Sequence, residues 1–189
     1  MMKPETRIES RANPRVKAVA ALQHAKHRRE TNRFILEGEH DLAVALRHGH
    51  RIEEIYHTDG ERFAALRRDA EIGDVPSFFV TGSVMAKLSG RQHPDWVLAV
   101  ARQPEIHGVS SISAAPSLVL VLDGLEKPGN LGAIVRSAVA FGISSVILSD
   151  TQVDPFHPQA IRNSRGHALG LAFTRDRPDT VIDWLRSHD

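Results

Sequence analysis

The feature that most constrains the fold is a pair of uninterrupted apolar runs, separated by a glycine-rich loop and a helical segment. The runs are LVLVLDG, residues 118–124, and SSVILSD, residues 144–150, and EKPGNLGAIVRSAVAFG lies between them. Apolar residues at consecutive positions are typical of strands in a parallel sheet that is covered on both faces. Parallel neighbours need a crossover connection, which is usually a helix. The sequence therefore predicts a β-α-β unit over residues 118–149.

The predicted crossover helix has one apolar face, which we expect to pack on the sheet. That face is formed by Leu131, Ile134, Val135, Ala138 and Val139. We expect Gly129 to permit a tight turn before the helix and Asn130 to cap its amino end. Arg136 falls outside the apolar face. Because helical side chains lean toward the amino end, its guanidinium is expected to reach the space in front of Asn130.

The loop before this helix is a candidate ligand site, since ligands of open α/β sheets bind beyond the carboxyl ends of the strands. A helix amino end, an amide and a guanidinium together suit phosphate or another anion. From the residues alone, Arg136 could equally be an ordinary surface residue that pairs with Glu126 or faces solvent. The sequence GNLG is also not a complete GxGxxG dinucleotide fingerprint.

The amino-terminal half alternates helical and extended patterns and predicts a small α/β domain. Asn13-Pro14 predicts the start of a helix of roughly three turns that leads into the basic segment KHRRETNR. Strands are predicted at RFILEG, RIEEIYH, PSFFVT and DWVLAVAR, with helices at EHDLAVALRHG, ERFAALRRDA and SVMAKLS between them.

The chain is predicted to divide into a first domain at residues 1–102, a linker at 103–117 and a second domain at 118–189. The linker prediction rests on two prolines, four serines and no apolar period in QPEIHGVSSISAAPS. After the second apolar run we expect a proline-rich turn, VDPFHP, a helix through QAIRNSRG and a last helix through PDTVIDWLRSHD.

Positive charge is concentrated at the amino end. Residues 1–33 hold nine Lys or Arg against three Glu, whereas residues 34–189 hold fifteen against twenty acidic residues. Such clustering favours contact with a polyanion, although a solvated leader segment has the same composition. The candidate phosphate contacts are Arg11, Arg15, Lys17, Lys26, Arg28, Arg29 and Arg33.

Composition excludes several classes of protein. No stretch approaches the roughly 18 apolar residues of a membrane helix, so no membrane span is expected. The chain has no cysteine, which excludes disulfides and thiolate metal sites and favours a cytoplasmic location. The histidines show no HxxxH or HExxH pattern, and we predict no metal site.

The segment KPGNLGAIVRSAVAFG between two apolar strands closely resembles the first motif of the SpoU (also called TrmH) class of RNA 2′-O-ribose methyltransferases, in the SPOUT superfamily. The stretch AIRNSRGHALGLAF is similar to the segment that follows this motif. SRANPRVKAVAALQHAKHRRETNRFILEGEHDLAVAL resembles the small RNA-binding domain of the L30e type that precedes the catalytic domain in many members. The likeness covers nearly all of residues 7–189.

The resemblance implies a homodimeric enzyme that moves a methyl group from S-adenosylmethionine to a ribose 2′-hydroxyl of rRNA or tRNA. It implies an L30e-like α/β RNA-binding domain followed by a Rossmann-like parallel sheet. In the family, the residues that correspond to Asn130 and Arg136 lie at the active site. A guanidinium normally stays protonated, so Arg136 suits charge stabilisation and phosphate positioning at least as well as proton abstraction.

The sequence departs from the family pattern at its carboxyl end. Two further motifs, of N-E-G and S-L-N type, build the family's cofactor pocket in a trefoil knot, and neither occurs here. We therefore expect the cofactor-binding residues beyond Asp189, and a truncated 189-residue chain that is inactive by itself. The alternative is an RNA-binding module without catalysis. A third reading is an unrelated nucleotide-binding domain that uses the GNLG loop.

Overall fold

The computed structural model describes residues 6–112 and 118–188. The chain forms two compact units, Met1–Gln103 and Pro104–Asp189. The boundary lies at the start of the predicted linker. Residues 113–117 of that linker lie outside the described residues.

The first unit is a five-stranded mixed sheet with helices on its faces. Its elements are β1 (Thr6–Ile8), α1 (Pro14–Ala21), α2 (Ala25–Thr31), β2 (Arg33–Glu37), α3 (Glu39–Arg47), β3 (Ile52–His57), α4 (Gly60–Asp69), β4 (Ser77–Val80), α5 (Gly82–Ser89) and β5 (Val97–Arg102). The strand order is β1-β4-β3-β5-β2. β5 is antiparallel to both β2 and β3, and β4 is parallel to β3 and β1.

The helices of this unit begin where the sequence supplies a cap. The side chains of Asn13, Asp59 and Thr81 accept hydrogen bonds from the first turns of α1, α4 and α5. A core of apolar side chains joins α1 and α5 to the sheet, and includes Val16, Val19, Leu22, Ile35, Tyr56, Val80, Val84, Met85, Leu88, Leu98 and Val100. The prediction that the amino-terminal half forms a small α/β domain is therefore confirmed.

Two features of the first unit differ from the prediction. The single helix of about three turns is two helices, α1 and α2, which are separated at Leu22–His24. The break is stabilised by Arg28, whose Nη1 donates hydrogen bonds to the carbonyl oxygens of Leu22 and Gln23 at 2.7 and 3.0 Å. The strand β1 was not predicted, because three residues are too few to show the alternation of apolar and polar side chains that indicates a strand.

The second unit has a three-stranded parallel sheet. Its elements are β6 (Val119–Asp123), α6 (Pro128–Ala140), β7 (Ser145–Ser149), α7 (Pro158–Asn163), β8 (Ala172–Asp176) and α8 (Pro178–Arg186). The strand order is β6-β7-β8, and both pairs are parallel. The predicted β-α-β unit is thus confirmed, and β7 is buried along its whole length.

The second unit also departs from the prediction at two places. The helix expected through QAIRNSRG ends at Asn163, because Arg165 and Gly166 adopt positive φ angles of 52° and 75°. The strand β8 was missed, since its sequence AFTRD has only two apolar residues and ends in two charges.

Part of the predicted linker is ordered against the second unit. His107 forms an isolated parallel bridge with Thr174, and the main-chain N–H of Val109 donates to Asp176 Oδ2 at 3.0 Å. Val109 is buried with Ile147 and Val181. Within residues 6–112 and 118–188, no helix has the length and apolar character to cross a membrane.

Candidate active site

The carboxyl edge of the second sheet carries a row of polar side chains. Asp123, Ser149 and Asp176 are in register as the last residues of β6, β7 and β8. The buried Ser149 hydroxyl donates to Asp123 Oδ1 at 2.6 Å, which orients an exposed carboxylate at the sheet edge. Gly124 then turns the chain with a φ of 62°, and its N–H donates to the Ser149 carbonyl at 3.0 Å. These hydrogen bonds to Ser149 therefore fix the start of the loop that leads to α6.

The amino end of α6 lies three residues earlier than predicted. Lys127 occupies the cap position in an extended conformation, and Pro128 is the first helical residue. Proline suits this position because its fixed φ matches the helix and its missing N–H would have no partner there. The prediction that Asn130 caps the helix is wrong. Asn130 is an exposed residue of the first turn, and its N–H donates to the Lys127 carbonyl at 3.1 Å.

The first turns of α6 lie unusually close to α7, and Gly132 permits this approach. A Cβ on Gly132 would lie 2.5 Å from the Ala160 carbonyl oxygen, 2.7 Å from Asn163 Cβ and 2.9 Å from the Ser164 nitrogen. Asn163 Nδ2 also donates to the Gly129 carbonyl at 3.2 Å. Sequence analysis missed this contact. A glycine inside an otherwise apolar helix was the available indication.

Arg136 lies on the exposed side of α6, as predicted. The buried face of the helix consists of Leu131, Gly132, Val135 and Ala138. Among the described residues, Arg136 has no hydrogen bond or ion pair, so it does not pair with Glu126. Asn130 and Arg136 are six residues apart on one helix, which corresponds to about 9 Å along the axis. Both are exposed, and no hydrogen bond joins them.

Arg28 does not fit its predicted role as a phosphate contact. Its side chain is fully buried at 0% exposure and binds main-chain carbonyl groups at the break between α1 and α2. A buried guanidinium is not accessible to an RNA phosphate. Within the segment KHRRETNR, Arg28 therefore stabilises the interior of the first unit and is not available to RNA.

Arg15 and Arg33 are held in an ion-pair network. Arg15 Nη1 and Arg33 Nη2 lie 2.8 and 2.9 Å from Glu54 Oε1, and Arg33 Nε lies 2.8 Å from Glu53 Oε2. The Tyr56 hydroxyl donates to the other oxygen of Glu54. Both arginines therefore stabilise the first unit, and their charge is partly compensated.

The network shifts the pKa values of its members. Burial alone would raise the pKa of Glu54, but the hydrogen bonds from Tyr56 and Arg33 and the charges of Arg33 and Arg15 lower it below the ordinary value. Burial and the hydrogen bond to Glu54 raise the pKa of Tyr56. Glu54 is therefore ionised and Tyr56 neutral at neutral pH.

The remaining predicted RNA contacts are exposed on the first unit. Arg11, Lys17 and Arg29 make no ion pair within the described part of the chain, and Lys26 lies 3.8 Å from Glu30 in an exposed pair. Across residues 6–112 and 118–188, no three His, Cys, Asp or Glu side chains are grouped in a way that could hold a metal ion.

Two family descriptions match the two units separately. The MRM3-like substrate binding domain matches residues 13–99, and the SpoU rRNA Methylase family matches residues 117–189. In sequence, the chain is 35% identical over 94 residues to an uncharacterised tRNA/rRNA methyltransferase of Synechocystis sp. (strain ATCC 27184 / PCC 6803 / Kazusa). That match covers 49% of this chain and 34% of the relative. The matched part is therefore about a third of that relative's length.

Two solved structures are similar over nearly the whole chain. An RNA 2′-O ribose methyltransferase is 36% identical, with a TM-score of 0.79, over 97% of this chain and 70% of that one. An AdoMet-bound rRNA methyltransferase from Sinorhizobium meliloti is 30% identical, with a TM-score of 0.81, over 96% of this chain and 69% of that one.

Proposed function

Because the chain belongs to the SpoU family of RNA methyltransferases, we propose that it acts in methyl transfer from S-adenosylmethionine to a ribose 2′-hydroxyl of rRNA or tRNA. The resemblance of KPGNLGAIVRSAVAFG to the family motif and the likeness of both units to RNA methyltransferases support this proposal. The 2′-oxygen as methyl acceptor rests on the motif and on the name of one similar structure.

The observation that carries the proposal is the accessibility of Arg136. Its guanidinium is exposed on the helix that follows the carboxyl edge of a parallel sheet, and no described residue neutralises it. A ribose hydroxyl is a weak nucleophile, and its oxygen becomes negatively charged as its proton passes to solvent; the oxygen then bonds to the methyl carbon while the bond from that carbon to sulfur breaks. A nearby guanidinium stabilises that charge and binds the adjacent RNA phosphate. We assign this role to Arg136, with Asn130 as a hydrogen-bonding partner of the substrate.

The described residues fit the cofactor only in part. When bound, S-adenosylmethionine supplies a methyl group activated by a positively charged sulfur. At the sheet edge, the exposed Asp123 carboxylate is oriented by Ser149 and could accept a hydrogen bond from a ribose hydroxyl. The two motifs that hold the cofactor in the family are absent from the sequence. We therefore assign no cofactor pocket, and propose that segments equivalent to the unmatched 30% of the similar solved chain contribute it.

The first unit is proposed to bind the RNA substrate as an L30e-like domain. Support comes from the match to a substrate binding domain over residues 13–99 and from the exposed cations Arg11, Lys17, Lys26 and Arg29. Homodimerisation and a cytoplasmic location are further parts of the proposal; the first rests on the family resemblance and the second on the cysteine-free sequence.

The test is transfer of a radiolabelled methyl group from S-adenosylmethionine to rRNA and tRNA, followed by alkaline hydrolysis. Two proteins are compared, the 189-residue chain and a chimera in which this chain replaces the matched 70% of the 36%-identical relative. Methylation of a 2′-oxygen blocks alkaline cleavage, so label is expected in alkali-stable dinucleotides. Label in mononucleotides would show base methylation instead. No transfer by either protein would refute the proposed activity.

A further inference from the structure

The sheet of the first unit is electrically polarised along its strands. β5 is antiparallel to both β2 and β3, so the starts of β2 and β3 lie at the same end of the sheet as the end of β5. One end of the sheet therefore collects the residues just before β2, just before β3 and at the end of β5. The opposite end collects the residues just after β2, just after β3 and just before β5.

The first of these ends is basic. It carries Arg29, Arg33, Arg47, Arg51 and Arg102. Arg33 and Arg102 are directly paired in the β2–β5 register, and the Arg102 N–H donates to the Arg51 carbonyl at 2.9 Å. Arg33 therefore starts β2, Arg102 ends β5 and Arg51 immediately precedes β3, at the same end of three adjacent strands.

Few carboxylates compensate this end. Glu53 lies 2.8 Å from Arg33 Nε and 3.9 Å from Arg102 Nη1, and Glu54 is shared by Arg15 and Arg33. Arg47 and Arg51 are exposed and form no ion pair with any residue in the described ranges. The Arg102 side chain is 53% exposed. The end therefore presents an excess of accessible guanidinium groups.

The opposite end of the same three strands is acidic. It carries Glu37, Glu39, Asp59, Glu61 and Asp95. Its arginines are engaged: Arg91 pairs with Glu37 at 2.9 Å, and Arg62 pairs with Glu39 at 2.6 Å and lies over the Trp96 ring. A polyanion is therefore repelled from this end and attracted to the other.

We propose that the basic end of the first sheet, with Arg47, Arg51 and Arg102 at its centre, is a binding surface for RNA phosphates. This surface is additional to the exposed cations of α1 and α2 that the sequence predicted as RNA contacts. That the polyanion is RNA rests on the proposed function. Arginine suits this role because its planar guanidinium binds phosphate oxygens in a bidentate manner. A contact made to the backbone positions RNA without reading its bases.

Four other carboxylates near this end of the sheet do not cancel the surface. Glu30 is paired with Lys26 and His27 on α2. Asp69, Glu71 and Asp74 belong to the end of α4 and the segment that leads into β4. β4 lies on the opposite side of β3 from β5 and β2. The arginine surface therefore continues from β3 across β5 to β2, away from those carboxylates.

The experiment measures binding of a fluorescein-labelled RNA hairpin of 30 nucleotides to the 189-residue chain between 0.05 and 0.3 M salt. Arg51→Ala, Arg102→Ala and the double variant are compared with Arg68→Ala. Arg68 is the matched control, because it is an exposed arginine without an ion pair in the described residues, at the end of α4 that leads into β4 and followed in the chain by Asp69, Glu71 and Asp74. Circular dichroism and thermal unfolding verify that each variant is folded.

Each phosphate contact makes the plot of log affinity against log salt steeper by about 0.7–0.9. Over a tenfold change in salt, one contact therefore changes the affinity by about five- to eightfold. We expect Arg51→Ala and Arg102→Ala each to lower the slope by about that amount, the double variant by about twice it, and Arg68→Ala to leave it unchanged. Equal effects of all three single variants, or none, with intact wild-type binding would overturn this surface and leave the proposed function standing. No RNA binding by the wild type would contradict both.

Discussion

The tight contact between α6 and α7 makes a quantitative prediction for Gly132→Ala. The added methyl group would meet three atoms at 2.5–2.9 Å, and two of them belong to the main chain of α7 and its carboxyl end. Main-chain atoms move only if the helices separate. Overpacking of this kind costs about 3 kcal/mol, and the better helix propensity of alanine recovers about 1 kcal/mol. We expect a net loss of about 2 kcal/mol from the free energy of unfolding.

Gly129→Ala is the matched control on the same helix. The three atoms nearest to its added Cβ would all belong to side chains: the nitrogens of Asn163 and Gln159 at 3.1 Å and Gln159 Cδ at 3.5 Å. The ends of these side chains can rotate away, so we expect a change within about 0.5 kcal/mol. The pair of variants separates helix contact from the general effect of replacing glycine.

The assay uses the two tryptophans, because one lies in each unit. In a Trp96→Phe background, the fluorescence of Trp184 reports unfolding of the second unit alone. For a unit of this size, 2 kcal/mol corresponds to a decrease of about 8–16 °C in the unfolding temperature. If Gly132→Ala unfolds with the wild type, or if Gly129→Ala costs as much, the inferred helix contact is wrong.

Three further predictions concern individual side chains. Arg28→Met is expected to cost the first unit about 2–4 kcal/mol in urea unfolding, because the Leu22 carbonyl and its neighbour lose a buried charged donor; unchanged stability would contradict this. Glu54→Gln is expected to destabilise above the ordinary carboxyl pKa of 4.5, and the difference from wild type should shrink as pH falls through the lower folded-state pKa. A difference that is constant from pH 7 to pH 3 would refute the ion-pair account. Asn163→Ala is expected to change stability by less than about 1 kcal/mol and, in the chimera, to lower kcat for methyl transfer more than it changes KM; an unchanged kcat would remove Asn163 from the positioning of α6.

The elements that the sequence predicted well are those with a strong period and clear ends. The consecutive apolar residues of β6 and β7 and the amphipathic face of α6 specify a parallel unit by themselves, and the structure has it. β8 escaped prediction because AFTRD reads as a polar surface segment. It becomes a strand only through its register with β7, a contact between residues far apart in the chain.

The exposure of Arg136 was predictable from the sequence, whereas the surroundings of the other candidate residues were not. Arg136 lies outside the apolar face and is exposed, as the helical period requires. The position of Asn130 was misjudged because Pro128 begins the helix earlier. Arg28 was misassigned since a basic segment gives no indication of which guanidinium turns inward. The arginines gathered from the starts of β2 and β3 and the end of β5 are far apart in sequence and become neighbours only in the sheet.

The central claim is that Arg136 promotes attack by a ribose hydroxyl, and one measurement tests it most directly. The rate of methyl transfer to RNA under saturating S-adenosylmethionine is compared between the chimera that carries the wild-type residues and its Arg136→Ala variant, with unfolding of both followed in parallel. Arg136 has no bond within the described residues, so we expect unchanged stability and a rate lowered by about 10²–10³-fold. Methyl transfer at the wild-type rate in a folded Arg136→Ala protein would contradict the claim.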